Sequence, residues 1–80
     1  MDARSMIDLQ ARVWAALCDA GADTRAAWDG NNLAPGWTYA EAARAERRRR
    51  HLSALNERVG AAVEALPEAE YRAARMVRHA

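Results

Sequence analysis

Phe and Lys do not occur in this 80-residue chain, Cys occurs once, Pro twice and Gly four times. Each shortage excludes something. Without Phe, the large apolar side chains are a few Leu, Val and Met, one Ile, three Trp and two Tyr, and alanine supplies most of the 51% hydrophobic content. Alanine favours helix and lets helices approach closely, but it buries little surface per residue. A chain of this length supports one small domain with a marginal core, which self-association or a hetero-complex would relieve. A lone Cys18 rules out a disulfide framework and a paired-thiolate metal site. No stretch approaches the roughly 18 apolar residues of a membrane span, and the N-terminus does not resemble a signal peptide, so a soluble cytoplasmic protein is expected.

Chemistry is also scarce. The four glycines are scattered and form no phosphate-cradling loop. The two histidines, His51 and His79, are spaced neither from Cys18 nor from a carboxylate as a catalytic dyad would require. Zinc-ligand spacings are absent, as is the Glu-x-x-His pair of di-iron bundles. The expectation is therefore a protein that is not an enzyme, with no catalytic residues, no cofactor and no metal. Cys18 falls among apolar neighbours and reads as a small buried hydrophobe.

What is present is charge, unevenly placed. Residues 1–40 hold three Arg against five Asp, a balance of −2, and residues 41–80 hold nine Arg against six Glu, a balance of +3. All twelve basic residues are Arg, which GC-rich codon usage explains as well as selection for bidentate contacts does. The densest cluster is Arg44, Arg47, Arg48, Arg49, Arg50 and His51. Consecutive helical residues point about 100° apart, so four successive arginines leave no face of that turn apolar. That segment must meet water, an acidic partner or a phosphate backbone.

The apolar pattern predicts an all-α fold, a small helical hairpin or three-helix domain spanning residues 1–80. A first helix is expected over about 5–20, with Met6, Ile7, Leu9, Ala11, Val13, Trp14, Leu17 and Cys18 on one broad arc and Gly21 as its stop. The arc is wide enough for more than one neighbour, and Trp14 on it is expected in the core. Residues 21–37 read as a Trp-bearing loop with a short helical turn over 23–29, capped by Asp23 and ended by Gly30. A second, long helix is expected over about 38–66, opened by Thr38 and Glu41 as a capping box. Its seam of Leu52, Leu55, Val59, Ala62 and Leu66 meets Arg48 when traced backwards and fails there. A third helix is expected over 67–79, with Pro67, Glu68 and Glu70 in its first turn. Tyr71, Ala74 and Val77 form its thin apolar stripe, and Arg72, Arg75, Arg78 and His79 gather toward its end.

The arginine run admits three readings. It can be a solvated face that pairs internally, Glu46 with Arg49 and Arg50 and Glu41 with Arg44. It can dock an acidic protein patch, using the fork geometry of guanidinium on carboxylate. It can contact nucleic-acid phosphates. A basic stretch leading into a leucine seam resembles a basic-zipper protein, but the seam is too short. Trp37–Ala43 is similar to the opening helix of many helix-turn-helix domains, yet the turn before a recognition helix is missing. Trp37 is expected to fold back as a lid beside the cap of the second helix, and Trp28 to serve as a contact, since Trp and Arg are enriched at interface hot spots. The leading expectation is a small regulator, inhibitor or accessory subunit that engages an acidic protein surface through Arg44, Arg47, Arg48, Arg50, His51 and Trp28. A dimeric nucleic-acid-binding protein is the first alternative, and a structural subunit of a larger assembly the second.

Overall fold

The computed structural model describes residues 1–79, with side chains as far as Met76. Three helices dominate it: α1 (Ala3–Ala26), α2 (Tyr39–Glu64) and α3 (Glu68–His79). Between α1 and α2 stand two strands of two residues each, β1 (Trp28–Asp29) and β2 (Asn32–Leu33). The molecule is a small, mostly helical domain. Val77, Arg78 and His79, expected on the stripe and in the basic cluster of the third helix, have side chains outside the described part.

α1 and α2 run antiparallel as the two legs of a rod. At one end Gly60 lies beside Gln10, and at the other Arg48 reaches Asp23. The buried side chains between them are small: Val13, Ala20 and Ala27 from the first leg, Ala42, Val59 and Val63 from the second. No large side chain is fully buried among the described residues. Valines thus fill the end near α3 and alanines the end near the strands, where the legs can approach closely. α3 turns back at Pro67, whose carbonyl accepts the Tyr71 N–H at 3.0 Å, and it packs on α1.

α1 does not stop at Gly21. It begins two residues earlier than expected, where Asp2 caps it by accepting the Ser5 N–H at 2.8 Å, and it continues to Ala26. Gly21 has no positive φ, and the residues after it (Ala22, Asp23, Thr24, Arg25, Ala26) include no breaker, so the glycine only weakens the helix. Asp23 is accordingly inside α1 and caps nothing. The expected helical turn over 23–29 is instead the end of α1 followed by a β-hairpin. Trp28 pairs with Leu33 and Asp29 with Asn32, leaving Gly30 and Asn31 as the turn. Gly30 has φ of +64° and Asn31 does not have a positive φ, the pattern of a type II′ hairpin turn. A second turn follows directly. The Trp37 N–H donates to the Ala34 carbonyl at 3.1 Å across Pro35 and Gly36, with Gly36 at φ +87°, as a type II turn requires.

α2 starts where expected. The Thr38 hydroxyl oxygen accepts the Glu41 N–H at 3.2 Å, and the hydroxyl donates to Glu41 Oε1 at 3.0 Å. Gly60 does not interrupt it. The face it turns to α1 differs from the expected seam, because Val63 is buried and Ala62 exposed. Followed back at spacings of three and four, that face meets Arg49, Ala45 and Ala42, so the seam runs through the arginine run instead of failing at Arg48. Two further expectations fail on α1. Trp14 is 57% exposed and Cys18 is exposed, because α2 covers only one side of the broad apolar arc.

Candidate functional site

The arginine run, Arg44 to His51, occupies the second to fourth turns of α2, and the helix distributes it around the axis. Arg49 lies on the side of α1, half-buried, with its fork on Glu46: Nη2 is 2.6 Å from Oε1 and Nε is 3.1 Å from Oε2. Arg50 donates from Nε to the same Oε1 at 3.1 Å. The guanidinium of Arg49 holds the Glu46 carboxyl down to about pKa 2 against the opposing effect of desolvation, with lesser help from Arg50. The same pairing raises the Arg49 pKa. Arg48 reaches Asp23 of α1 instead of Glu46, with Nη1 at 3.9 Å from Asp23 Oδ2, and both side chains are at least half exposed. A surface pair of that length contributes about 0–1 kcal/mol. The expected Glu41–Arg44 pair is not formed, because Glu41 is engaged by Thr38.

Arg44, Arg47 and His51 remain. Spacings of three and four put them in one row on the outer side of α2, away from α1, and the row continues through Ala54 to Arg58. All four charged or titratable members are exposed, and none has an ion-pair partner within 4.0 Å among the described residues. From Arg44 to Arg58 the row spans about 21 Å at 1.5 Å per residue. No Asp or Glu lies on it between Arg44 and Arg58. Glu41 stands three residues before Arg44, about 60° around the helix from it, with its carboxylate on the Thr38 hydroxyl. Glu46, Glu57 and Glu64 sit on another flank, about 80–160° from the members of the row.

The six residues expected at the site therefore do not form one patch. The structure brings together Arg44, Arg47 and His51 and adds Arg58, which the spacing 44–47–51–58 could have revealed. It sends Arg48 toward α1 and Arg50 to the Glu46 flank. Trp28 lies at the strand end of the rod, 40% exposed, with its ring edge-on to Tyr39 at 6.3 Å between centroids. Tyr39 is 73% exposed and opens α2 five residues before Arg44, about 140° around the helix from it. The aromatic pair is thus a tip beside the cationic row, not a member of it. Trp37 is half-buried and lines a shallow groove of about 220 Å³ with Asp23, Glu41, Arg44, Ala45 and Arg48.

A larger open groove, about 570 Å³, lies between α1 and α3 and is lined by Gln10, Trp14, Asn56, Tyr71 and Arg75 among others. Its one cation is already engaged, since Arg75 Nη1 donates to the Tyr71 hydroxyl at 2.8 Å and the guanidinium lies 5.6 Å from the ring centroid. Among the described residues no three His, Cys, Asp or Glu side chains gather as a metal site would need. No helix there is long and apolar enough to cross a membrane. Comparison with protein-family models, curated proteins and solved structures found no match.

Proposed function

We propose that this chain is a non-enzymatic, cytoplasmic interaction module that binds an acidic protein segment along the outer side of α2. The observation that carries this reading is the row Arg44, Arg47, His51 and Arg58, exposed and without carboxylate partners, with Glu41 at its end engaged by Thr38. The guanidinium fork suits carboxylates in pairs, and a helix-long row suits an extended or helical acidic segment. Trp28 and Tyr39 supply an aromatic contact at the end of the row, where a bound segment would leave the helix. Acting by occlusion or recruitment, such a module is a small regulator or accessory subunit. Nucleic acid is disfavoured because Glu46 already occupies two of the arginines and the net charge is only +1.

Titration with a fluorescent glutamate-rich peptide and with a DNA duplex, each at low and physiological salt, tests the proposal. Replacing Arg44, Arg47 and Arg58 together with Ala is expected to weaken peptide binding about three- to a hundredfold, at about 0.2–1 kcal/mol per exposed charge. Arg72→Ala, a change on α3, is expected to leave it unaltered. Equal binding by the triple variant and the unaltered chain would sink the reading. A duplex that binds more tightly than the peptide, with affinity falling steeply with salt, would transfer the row to nucleic acid.

A further inference from the structure

The cations on the outer side of α2 belong to a longer pattern. Arg44, Arg47, His51, Ala54 and Arg58 follow one another at alternating steps of three and four, and the same steps reach Ala40 before them and Ala61 after them. These seven positions are all exposed, and each is Ala, Arg or His. A repeat averaging 3.5 residues drifts only about 20° per heptad around a straight helix, so the positions form one continuous seam about 32 Å long. On the other side of α2, Ala42, Val59 and Val63 are buried against α1. We infer that the seam receives a single partner helix whose own seam carries Glu or Asp at the same alternating steps, packed as in a two-stranded coiled coil.

That occupant rests on the acid-binding function proposed above and narrows it to one class of partner. Charge excludes a second copy, whose seam would set Arg and His against Arg and His. Spacing selects a helix. Acidic side chains three and four apart on a helix recur at the same intervals along the axis as Arg44, Arg47, His51 and Arg58. On an extended segment the side chains of one face recur every 6.6 Å or so, out of step with neighbouring cations about 4.5 and 6 Å apart. Backbone chemistry points the same way. A helix satisfies its own peptide groups, whereas an extended segment lying on α2 turns N–H groups toward a face with almost no acceptor. Guanidinium only donates, alanine has no polar side-chain atom, and His51 is the one residue of the seam that can accept. The alanines set the distance. Ala40, Ala54 and Ala61 leave gaps between the longer side chains, into which aliphatic side chains of a partner helix fit as knobs.

Titration of the full chain with labelled peptides of Ala and Glu, at low salt, tests the inference. The first peptide carries Glu at the three-four alternation, on one face. The second has the same length and composition, with Glu at every fifth residue and so spread around the helix. The third is the first with two central alanines replaced by Pro, which breaks the helix and keeps the charge. The first is expected to bind about two- to thirtyfold tighter than the second, which forms about two fewer ion pairs with the seam. Its binding is expected to add helical circular dichroism beyond the sum of the separate components, and the third peptide to bind no better than the second. Arg47→Ala, in the seam, is expected to weaken binding of the first peptide about 1.5- to fivefold. Arg50→Ala, off the seam and engaged by Glu46, is expected to leave it unaltered. Equal affinity for the first and second peptides, or a third peptide that binds as tightly as the first, overturns the partner helix and leaves acid binding in place. Equal losses from Arg47→Ala and Arg50→Ala overturn the seam. If none of the peptides binds, the acid-binding function itself falls, and the partner helix with it.

Discussion

Glu46 is the residue on which the arginine run depends. One carboxylate holds two guanidiniums, so the cluster Arg49–Glu46–Arg50 is geometrically defined although it stands at the surface. Its carboxyl is held near pKa 2 in the folded chain, against an ordinary 4.5. A depressed folded pKa means that the unfolded chain takes up the proton first. The stabilisation from this cluster is therefore complete above about pH 4.5 and lost as pH falls toward 2. Glu46→Gln is expected to melt at a lower temperature than the unaltered chain at neutral pH, and thermal curves of the two should converge near pH 2. A difference that stays constant from pH 7 to pH 2 would mean that the pairing contributes nothing to stability. The same substitution frees Arg49 and Arg50, so it is also expected to tighten binding of the glutamate-rich peptide at low salt.

At the scale of elements, the ends of the helices are held by single side chains. Thr38→Ala removes the hydroxyl that both accepts the Glu41 N–H and donates to its carboxylate. Loss of such a cap costs about 1 kcal/mol, seen in a chain of this size as a fall of about 4–8 °C in Tm. Gly21 acts in the opposite direction. A Cβ there meets only the far end of the Arg25 side chain, at 3.4 Å, and the backbone is ordinary helix. Gly21→Ala is expected to stabilise by about 0.5–1 kcal/mol, read as a higher denaturation midpoint. Gly36, at φ +87°, should behave otherwise, and Gly36→Ala is expected to lower that midpoint by about 1 kcal/mol. These contrasts also show which features could be read from the sequence. The start of α2 was legible because Thr38 and Glu41 act locally, and the Pro35–Gly36 turn for the same reason. The continuation of α1 past Gly21 was not, because a glycine halts a helix only when the following residues offer another conformation. The hairpin was hidden because Trp28 and Leu33 pair across a turn, while the eye follows Asp23 as a cap. The row on α2 was half legible. Four consecutive arginines draw attention to residues 47–50, but helix geometry disperses those four and gathers Arg44, Arg47, His51 and Arg58. Exposure of Trp14 and Cys18 could not be read at all, since an apolar arc does not say how much of it a neighbour covers.

The whole molecule is a pair of long legs with a core of three valines and three alanines. Such a core leaves little margin against conformational entropy, and a partner that binds only the folded state adds stability by mass action. The Tm of the unaltered chain is therefore expected to rise as the glutamate-rich peptide is added in differential scanning calorimetry, and that of the Arg44, Arg47 and Arg58 triple Ala variant to rise less. Equal behaviour of the two would contradict binding along the outer row of α2.

The shape has a consequence for every such experiment. The chain measures 50 × 23 × 18 Å, with a radius of gyration of 16.7 Å. A compact fold of 80 residues would have about 12 Å, and 16.7 Å matches a compact fold of about 200 residues. In flow through a porous matrix, a single copy will therefore elute ahead of globular standards of its mass and imitate an oligomer. Elution volume alone will count copies wrongly, and only a mass-sensitive signal, such as light scattering or sedimentation equilibrium, will separate length from number.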